Sequence, residues 1–377
     1  MLHATEPEGA ACLFKAIPIM PSHRFLLVFV AIGLNLSACR SGSDYFLKSG
    51  YTEIEDHAEV RQVRGERIPG SDLYDAAKIA VYDSLCIFYS WKIPNGFYAV
   101  LDMHSGKDLG IFCPKGRGPI ESTGLAPIHD LRQRDGALRA EIIDAHRQRL
   151  LVWNVTESLL SGVTVYDTIL PVAKRILPQW FARTGENRYF FCSSPMPFEN
   201  IGEVVVPRYT LTSLPDLSDL RKYEVFTDSI LSITSSGKWL MPDFVSMEYG
   251  MKPDGSKVVM AMSYSPQINV LDLASGSLAC YRLKGLPRES TSRRIWYYAS
   301  VCCDDNYIYA LYNALDLHEP IPEDRKSMIH VFDWEGSLCG KAELDGLFNQ
   351  IYLDRNMIYG WSVKGFVSAY KLSDLLE

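Results

Sequence analysis

Two groups of residues have the types and spacing for chemistry. The first is rich in oxygen and nitrogen ligands: Asp83, His129, Asp130, Asp144, Asp243, Glu248 and the run Asp304-Asp305-Asn306. A hard cation such as Ca2+ takes about six to eight oxygen ligands, so a divalent-cation-dependent hydrolase or lyase needs several of these to converge. None of them recurs at a repeated position, and Asp304-Asp305-Asn306 runs straight into Tyr307-Ile308-Tyr309, which reads as a hairpin turn. The second group is Gly116-Arg117-Gly118-Pro119-Ile120-Glu121, whose glycines let backbone amides approach an anion with Arg117 as its clamp. A nucleotide-binding phosphate loop opens a helix, whereas here Pro119 intervenes and no helical pattern follows. The phrase reads as a structural turn, with Arg117 and Glu121 as rim contacts to a ligand under the alternative. Seven Trp and 21 Tyr suggest carbohydrate stacking. Trp153, Trp334 and Trp361 lie beside strand residues and read as packing, while Trp91 and Trp296 sit nearer loops and are candidate ligand contacts. No GxSxG elbow, CxxC pair or zinc spacing is present. No catalytic residue and no metal ligand is assigned. No cofactor is expected, and Ca2+ enters only with the hydrolase alternative.

The elements that position these residues repeat. Val270 to Leu283, VLDLASGSLACYRL, returns as Val100 to Ile111, VLDMHSGKDLGI, and Val331 to Leu344, VFDWEGSLCGKAEL. In each, an apolar pair leads into Asp102, Asp272 or Asp333, then Gly106, Gly276 or Gly336, then more apolar residues. That is strand, tight turn, strand. Hairpins recurring every few tens of residues imply stacked sheets. The strand pattern falls into six sets: Ile79 to Phe112, Ala140 to Ile176, Tyr189 to Phe226, Gly250 to the Asp272 hairpin, Tyr298 to the Asp333 hairpin, and Gln350 to Tyr370. Thr52 to Val63 reads as an isolated strand that joins Phe366 to Leu372 and closes the sixth set. The expected fold is all-β, a single six-bladed β-propeller of four-stranded antiparallel blades over 51–377. The third set is poorly punctuated, and five or seven blades stay open.

Ahead of that domain, Phe25 to Leu36 is an apolar run behind His23 and Arg24, followed by Leu36-Ser37-Ala38-Cys39. A membrane span needs about 20 residues, so the run suits a signal-peptide core. Residues 20–39 read as a lipoprotein signal peptide ending at Cys39, the lipidated residue, with 40–50 as a flexible tether. Glu6 and Glu8 are foreign to a signal n-region, which places the translation start at Met20 and makes 1–19 an upstream extension. The remaining cysteines are an odd set without paired spacing. Cys302-Cys303 reads as a buried strand pair, since neighbours on a strand face opposite ways. A formal net charge of −7 gives no general attraction to nucleic acid. Arg132 to Arg149, the most basic stretch, carries interleaved acids and reads as a mixed-charge solvated surface.

The lipobox, the blade length, the Lys252-Pro253-Asp254-Gly255 turn and Lys115-Gly116-Arg117-Gly118-Pro119-Ile120-Glu121 together resemble the TolB-like six-bladed propeller lipoproteins of Bacteroidales. The chain departs from that pattern at Ile120, where the family prefers Gly. The resemblance implies fold and envelope address, and no catalytic residue carries over. The expected function is a lipid-anchored envelope propeller that binds a protein, peptide or glycan at its channel mouth and loops. The alternative is a cation-dependent envelope hydrolase or lyase at that mouth. The expected address is the outer membrane on its periplasmic face, because Arg40-Ser41-Gly42-Ser43-Asp44 lacks an acidic export run.

Overall fold

The structure, a computed structural model, describes residues 47–171, 176–195, 206–214, 218–227, 246–284 and 295–376. The expected signal peptide, Cys39 and most of the expected tether lie outside the described residues, as does Asp243. From Leu47 the chain runs through three short strands, β1 (Tyr51–Ile54), β2 (Val60–Gln62) and β3 (Glu66–Arg67), before the first full sheet. Blade 1 is β4 (Lys78–Tyr82), β5 (Leu85–Tyr89), β6 (Gly96–Asp102) and β7 (Lys107–Pro114). Blade 2 is β8 (Asp130–Arg134), β9 (Ala137–Asp144), β10 (Arg149–Asn154) and β11 (Tyr166–Pro171). Blade 3 is β12 (Ile176–Gly185), β13 (Arg188–Pro195), β14 (Arg208–Ser213) and β15 (Ser218–Tyr223). Blade 4 is β16 (Met247–Met251), β17 (Lys257–Met262), β18 (Gln267–Asp272) and β19 (Leu278–Leu283). Blade 5 is β20 (Ile295–Cys303), β21 (Tyr307–Asp316), β22 (Met328–Asp333) and β23 (Leu338–Glu343). Blade 6 is β24 (Phe348–Asp354), β25 (Met357–Ser362) and β26 (Val367–Lys371), completed by β3. The protein is a six-bladed β-propeller.

Middle strands such as β5, β6, β17 and β18 read as near-continuous apolar runs because both of their faces are buried. On β5, Cys86 and Phe88 join a cluster with Tyr359 and Trp361 of blade 6. Ile87, pointing the other way, joins Ala140, Leu151 and Trp153 of blade 2. Trp153, Trp334 and Trp361 are all buried between blades, as their strand settings imply. Cys302 and Cys303 are free thiols that face two different clusters, the arrangement expected of strand neighbours.

The repeated Asp-Gly phrases are turns between the third and fourth strands of blades 1, 4 and 5. Asp102 Oδ1 accepts from the amides of His104 and Ser105, Asp272 Oδ1 from Ser275, and Asp333 Oδ1 from Glu335 and Ser337. Gly106, Gly276 and Gly336 take φ of 68°, 78° and 88°, which favours glycine there.

Closure differs from the sequence expectation. Residues 52–63 are not one strand paired with 366–372. Instead β1 adds parallel to β19, β2 adds parallel to β23, and only Glu66-Arg67 pairs antiparallel with Ser368-Ala369. Leu47, assigned to the tether, is buried and bridges to Phe226 beside blade 3. The N-terminal segment is therefore a strap along the outer edges of blades 3 to 6. Hydrogen bonds then close the ring between blades 6 and 1: Gln350 Oε1 accepts from Ile79 N at 2.6 Å, and Gln350 Nε2 donates to Ile79 O at 2.9 Å. Trp361 Nε1 donates to Ala76 O at 3.1 Å.

Blade 2 begins at Asp130, ten residues before the expected Ala140. Its first strand, DLRQR, is half-exposed and polar because it lines the channel, so it lacks an apolar signature. Ile176 belongs to blade 3, not blade 2. A short helix, α1 (Val155–Ser161), joins β10 to β11, capped by the Asn154 side chain on Glu157 N and ended by Gly162 at φ 73°.

Candidate functional site

The innermost strand of every blade contributes to a central channel of about 720 Å³, a volume in the range of small-molecule sites. In a four-stranded antiparallel blade, the first-to-second and third-to-fourth connections emerge at one end. The second-to-third and blade-to-blade connections emerge at the other. Lys78, Asp130 and Glu248 open their strands at this second end, so they stand at the mouth ringed by those loops.

Among the described residues, no three His, Cys, Asp or Glu side chains are grouped so as to hold a metal ion. The candidate ligands are dispersed. Asp83 sits in a turn and pairs with Arg355 at 2.9 Å. Asp144 is buried and receives Arg149 Nε at 3.0 Å. Asp304 is the turn residue the sequence suggests: its Oδ1 accepts from Asn306 N and Tyr307 N, and its Oδ2 from the Tyr309 hydroxyl.

His129, Asp130 and Glu248 do share the channel, each with its own neighbours. His129 lies edge-on to Phe181 at 5.0 Å, and burial, aided by the charge of Lys78, lowers its pKa to about 3. Asp130 Oδ1 accepts from Arg132 Nε at 2.8 Å; burial raises its carboxyl above the usual range, with Arg132 partly offsetting it. Glu248 meets Lys78 Nζ at 3.5 Å, and since blades 1 and 4 oppose each other in the ring, this ion pair spans the bore. Trp180 stacks on Tyr249 at 5.5 Å in the same cavity.

Behind this wall lies a buried charge cluster. Glu141, opposite Asp130 in the β8–β9 ladder, accepts on Oε1 from Arg183 Nη2 at 2.5 Å and from the Tyr189 hydroxyl at 3.0 Å. Asp130 Oδ2 and Glu141 Oε2 are buried without a hydrogen-bond partner among the described residues. The arginine-rich stretch is thus solvated in part: Arg134 and Asp135 are exposed, as the sequence suggests, whereas the Arg139 and Arg149 side chains are largely covered. The Arg183 guanidinium, reaching in from blade 3, lets Glu141 be buried beside Asp130.

The four candidate contact residues separate into three kinds. Trp91 is 67% exposed on the loop between β5 and β6. Arg117 is exposed on the loop between blades 1 and 2 and makes no hydrogen bond or ion pair among the described residues. Glu121 is spent on structure: its Oε2 accepts from Gly118 N at 2.6 Å, and a Cβ on Gly116, at φ 153°, would collide with its carboxylate. Trp296 is half-buried on β20, packed against the cluster between blades 5 and 6, not on a loop.

Sequence reasoning missed the lacing of these loops. Lys115 Nζ donates to Trp91 O and Ile93 O at 2.5 and 2.6 Å, and Lys92 pairs with Asp75 at 2.5 Å. From blade 2, Arg147 donates to Gly118 O, and Arg149 to Pro119 O and Glu121 O. Loops 68–77, 90–95 and 115–122 are thereby tied together, each presenting one large exposed apolar side chain: Leu73, Trp91 and Ile120. Leu317, Ile321 and Val363 occupy loops at the same end of the ring. Among the described residues the other end offers only Leu160 and Val163 of this class, and Val60, Ile111, Ile169 and Leu220 lie on outer strands.

No protein-family model matches the chain, and no curated protein does. Among solved structures it is similar to a DUF4221 family member from Bacteroides vulgatus ATCC 8482, with TM-score 0.55 and 10% identity over 84% of this chain and 97% of that one. It is also similar to a candidate exported protein from Bacteroides fragilis NCTC 9343, with TM-score 0.51 and 10% identity over 85% and 99%. At such identity the likeness is one of fold. Among the described residues no helix is long and apolar enough to cross a membrane.

Proposed function

We propose that this chain is a lipid-anchored envelope propeller, TolB-like in organisation, that works as a binding module. Its recognition face is the end carrying the channel mouth and the laced loops. The observation that carries this reading is the asymmetry of exposed apolar side chains, with Leu73, Trp91, Ile120, Leu317, Ile321 and Val363 at one end. Large apolar groups held on rigid loops around a concave mouth, with an aromatic anchor among them, are the usual make-up of an interaction surface. The envelope address rests on the signal-like run before Cys39 and agrees with the description of the Bacteroides fragilis fold relative as a candidate exported protein. The periplasmic face of the outer membrane, with a protein or glycan partner, completes the proposal. Among the described residues no three His, Cys, Asp or Glu side chains are grouped to hold the cation that the hydrolase alternative calls for, and Asp243 lies outside them.

The test is affinity recovery from envelope extracts with wild type, a Leu73→Ala/Trp91→Ala/Ile120→Ala variant, and Leu160→Ala as the opposite-end control. The triple variant should lose the recovered partner by about tenfold or more, as expected when an aromatic anchor worth over ~1.4 kcal/mol is removed, and the control should keep it. Equal recovery by all three would contradict the reading.

A further inference from the structure

The cavity gathers four cations, Lys78, Arg132, Arg183 and Lys252, and each meets an acid: Glu248, Asp130, Glu141 and Asp254 in turn. The pairs differ in how firmly they are held. Arg183 and Glu141 side chains are 10% and 3% exposed, and Asp130, bonded to Arg132, is 11% exposed, whereas Lys78 and Glu248 are both 34% exposed.

Glu248 reaches Lys78 from the opposite blade at 3.5 Å, and neither has another charged partner among the described residues. A partly solvated pair of this kind is weakly held, because water screens both charges. Glu248 is therefore a weakly held carboxylate resting on an ammonium group in the mouth of the channel. An incoming carboxylate that also engages Arg132 would exchange for it at small cost and gain charge-assisted hydrogen bonds. Trp180, half-buried on the same cavity wall and braced by Tyr249, offers an apolar surface to the body of such a molecule.

We infer that the channel takes a small carboxylate-bearing ligand at Lys78 and Arg132, with Glu248 as the resident carboxylate that it displaces. The inference rests on the reading of this mouth as a binding site and specifies its ligand chemistry. Two natural sources carry the group, a sugar acid and a peptide C-terminus, and paired probes separate them.

Titration calorimetry of the full folded domain would compare glucuronate with glucose, and N-acetyl-dialanine with its C-terminal amide. The expected result is that one acid binds about tenfold or more tightly than its neutral counterpart. Lys78→Ala should abolish that preference. Glu248→Gln, which preserves shape and frees the ammonium, should tighten binding of the acid by about three- to tenfold. The member of the pair that binds identifies the source. Equal binding of acid and neutral probes, weaker acid binding by Glu248→Gln, or no acid binding to that variant at about 10 mM would each overturn the inference. None of these outcomes depends on partner recovery through Leu73, Trp91 and Ile120, so the ligand assignment and the binding-module reading fail separately.

Discussion

Replacing Arg183 by Met should lower the unfolding free energy by about 3–5 kcal/mol, the cost of leaving a buried charge without its partner. Arg183 and Glu141 side chains are only 10% and 3% exposed, and the guanidinium supplies Glu141 with its main charged contact. Loss of Arg183 leaves the carboxylate with the Tyr189 hydroxyl and a distant Arg134, 3.7 Å away, beside the buried Asp130. Adding Glu141→Gln should restore most of the loss, because both charges are then gone, and the coupling between the two substitutions should reach about 2–3 kcal/mol. Urea unfolding of the four proteins of the cycle measures it. Independent, additive effects would show that the cluster is not an interacting pair.

Acid should destabilise the fold well above the range where most carboxylates titrate. His330 is buried on β22, stacked on Tyr312 at 4.3 Å, with Tyr298 Oη 3.3 Å from its Nδ1. Burial lowers its pKa to about 3; the charge of Asp56, itself paired with Lys341 at 2.7 Å, opposes the shift, and that of Lys341 adds to it. The unfolded chain takes up the proton near pH 6.5 and the folded chain near 3, so between these values the unfolded state binds more protons. The contribution of His330 is complete above about pH 6.5 and is lost as pH falls, at ~1.4 kcal/mol per pH unit, for a total of about 4–5 kcal/mol. His330→Phe should therefore flatten the stability profile between about pH 6 and 3.5 by that slope. It should cost ~1 kcal/mol at neutral pH, where the Tyr298 hydroxyl loses its partner. Parallel profiles for variant and wild type would contradict the buried neutral imidazole.

These two clusters mark where the sequence is legible and where it is not. The hairpins at Asp102, Asp272 and Asp333 are readable because turn chemistry is local: an Asp oxygen and a Gly at positive φ act over four or five residues. Blade 1 is readable because its strands are apolar throughout and end at such turns. Asp130–Arg134 is not, since a channel-lining strand is polar and resembles a surface segment. The Asn154-to-Glu157 cap of α1 was available as a helix-start signal, although seven residues carry too little periodicity to support it. The strap is not legible because its strands are two to four residues long and paired 229 or more positions away. At the mouth, the loop setting of Trp91 is legible from its turn-rich neighbours and that of Arg117 from the Gly-Arg-Gly-Pro phrase, and both residues are exposed on loops. Lys78, Arg132 and Gln350 were not, because only the closed ring brings the first strand of each blade to a common axis.

The central claim is that one end of the propeller is the recognition face, and site-specific photo-crosslinking in the native envelope tests it most directly. A photoreactive side chain placed in turn at positions 73, 91 and 317 should give discrete adducts with a common partner. The same group at positions 160 and 220 should give none. Adducts of equal yield from both sets, or adducts from 160 and 220 alone, would contradict the assignment of the laced-loop end as the binding face.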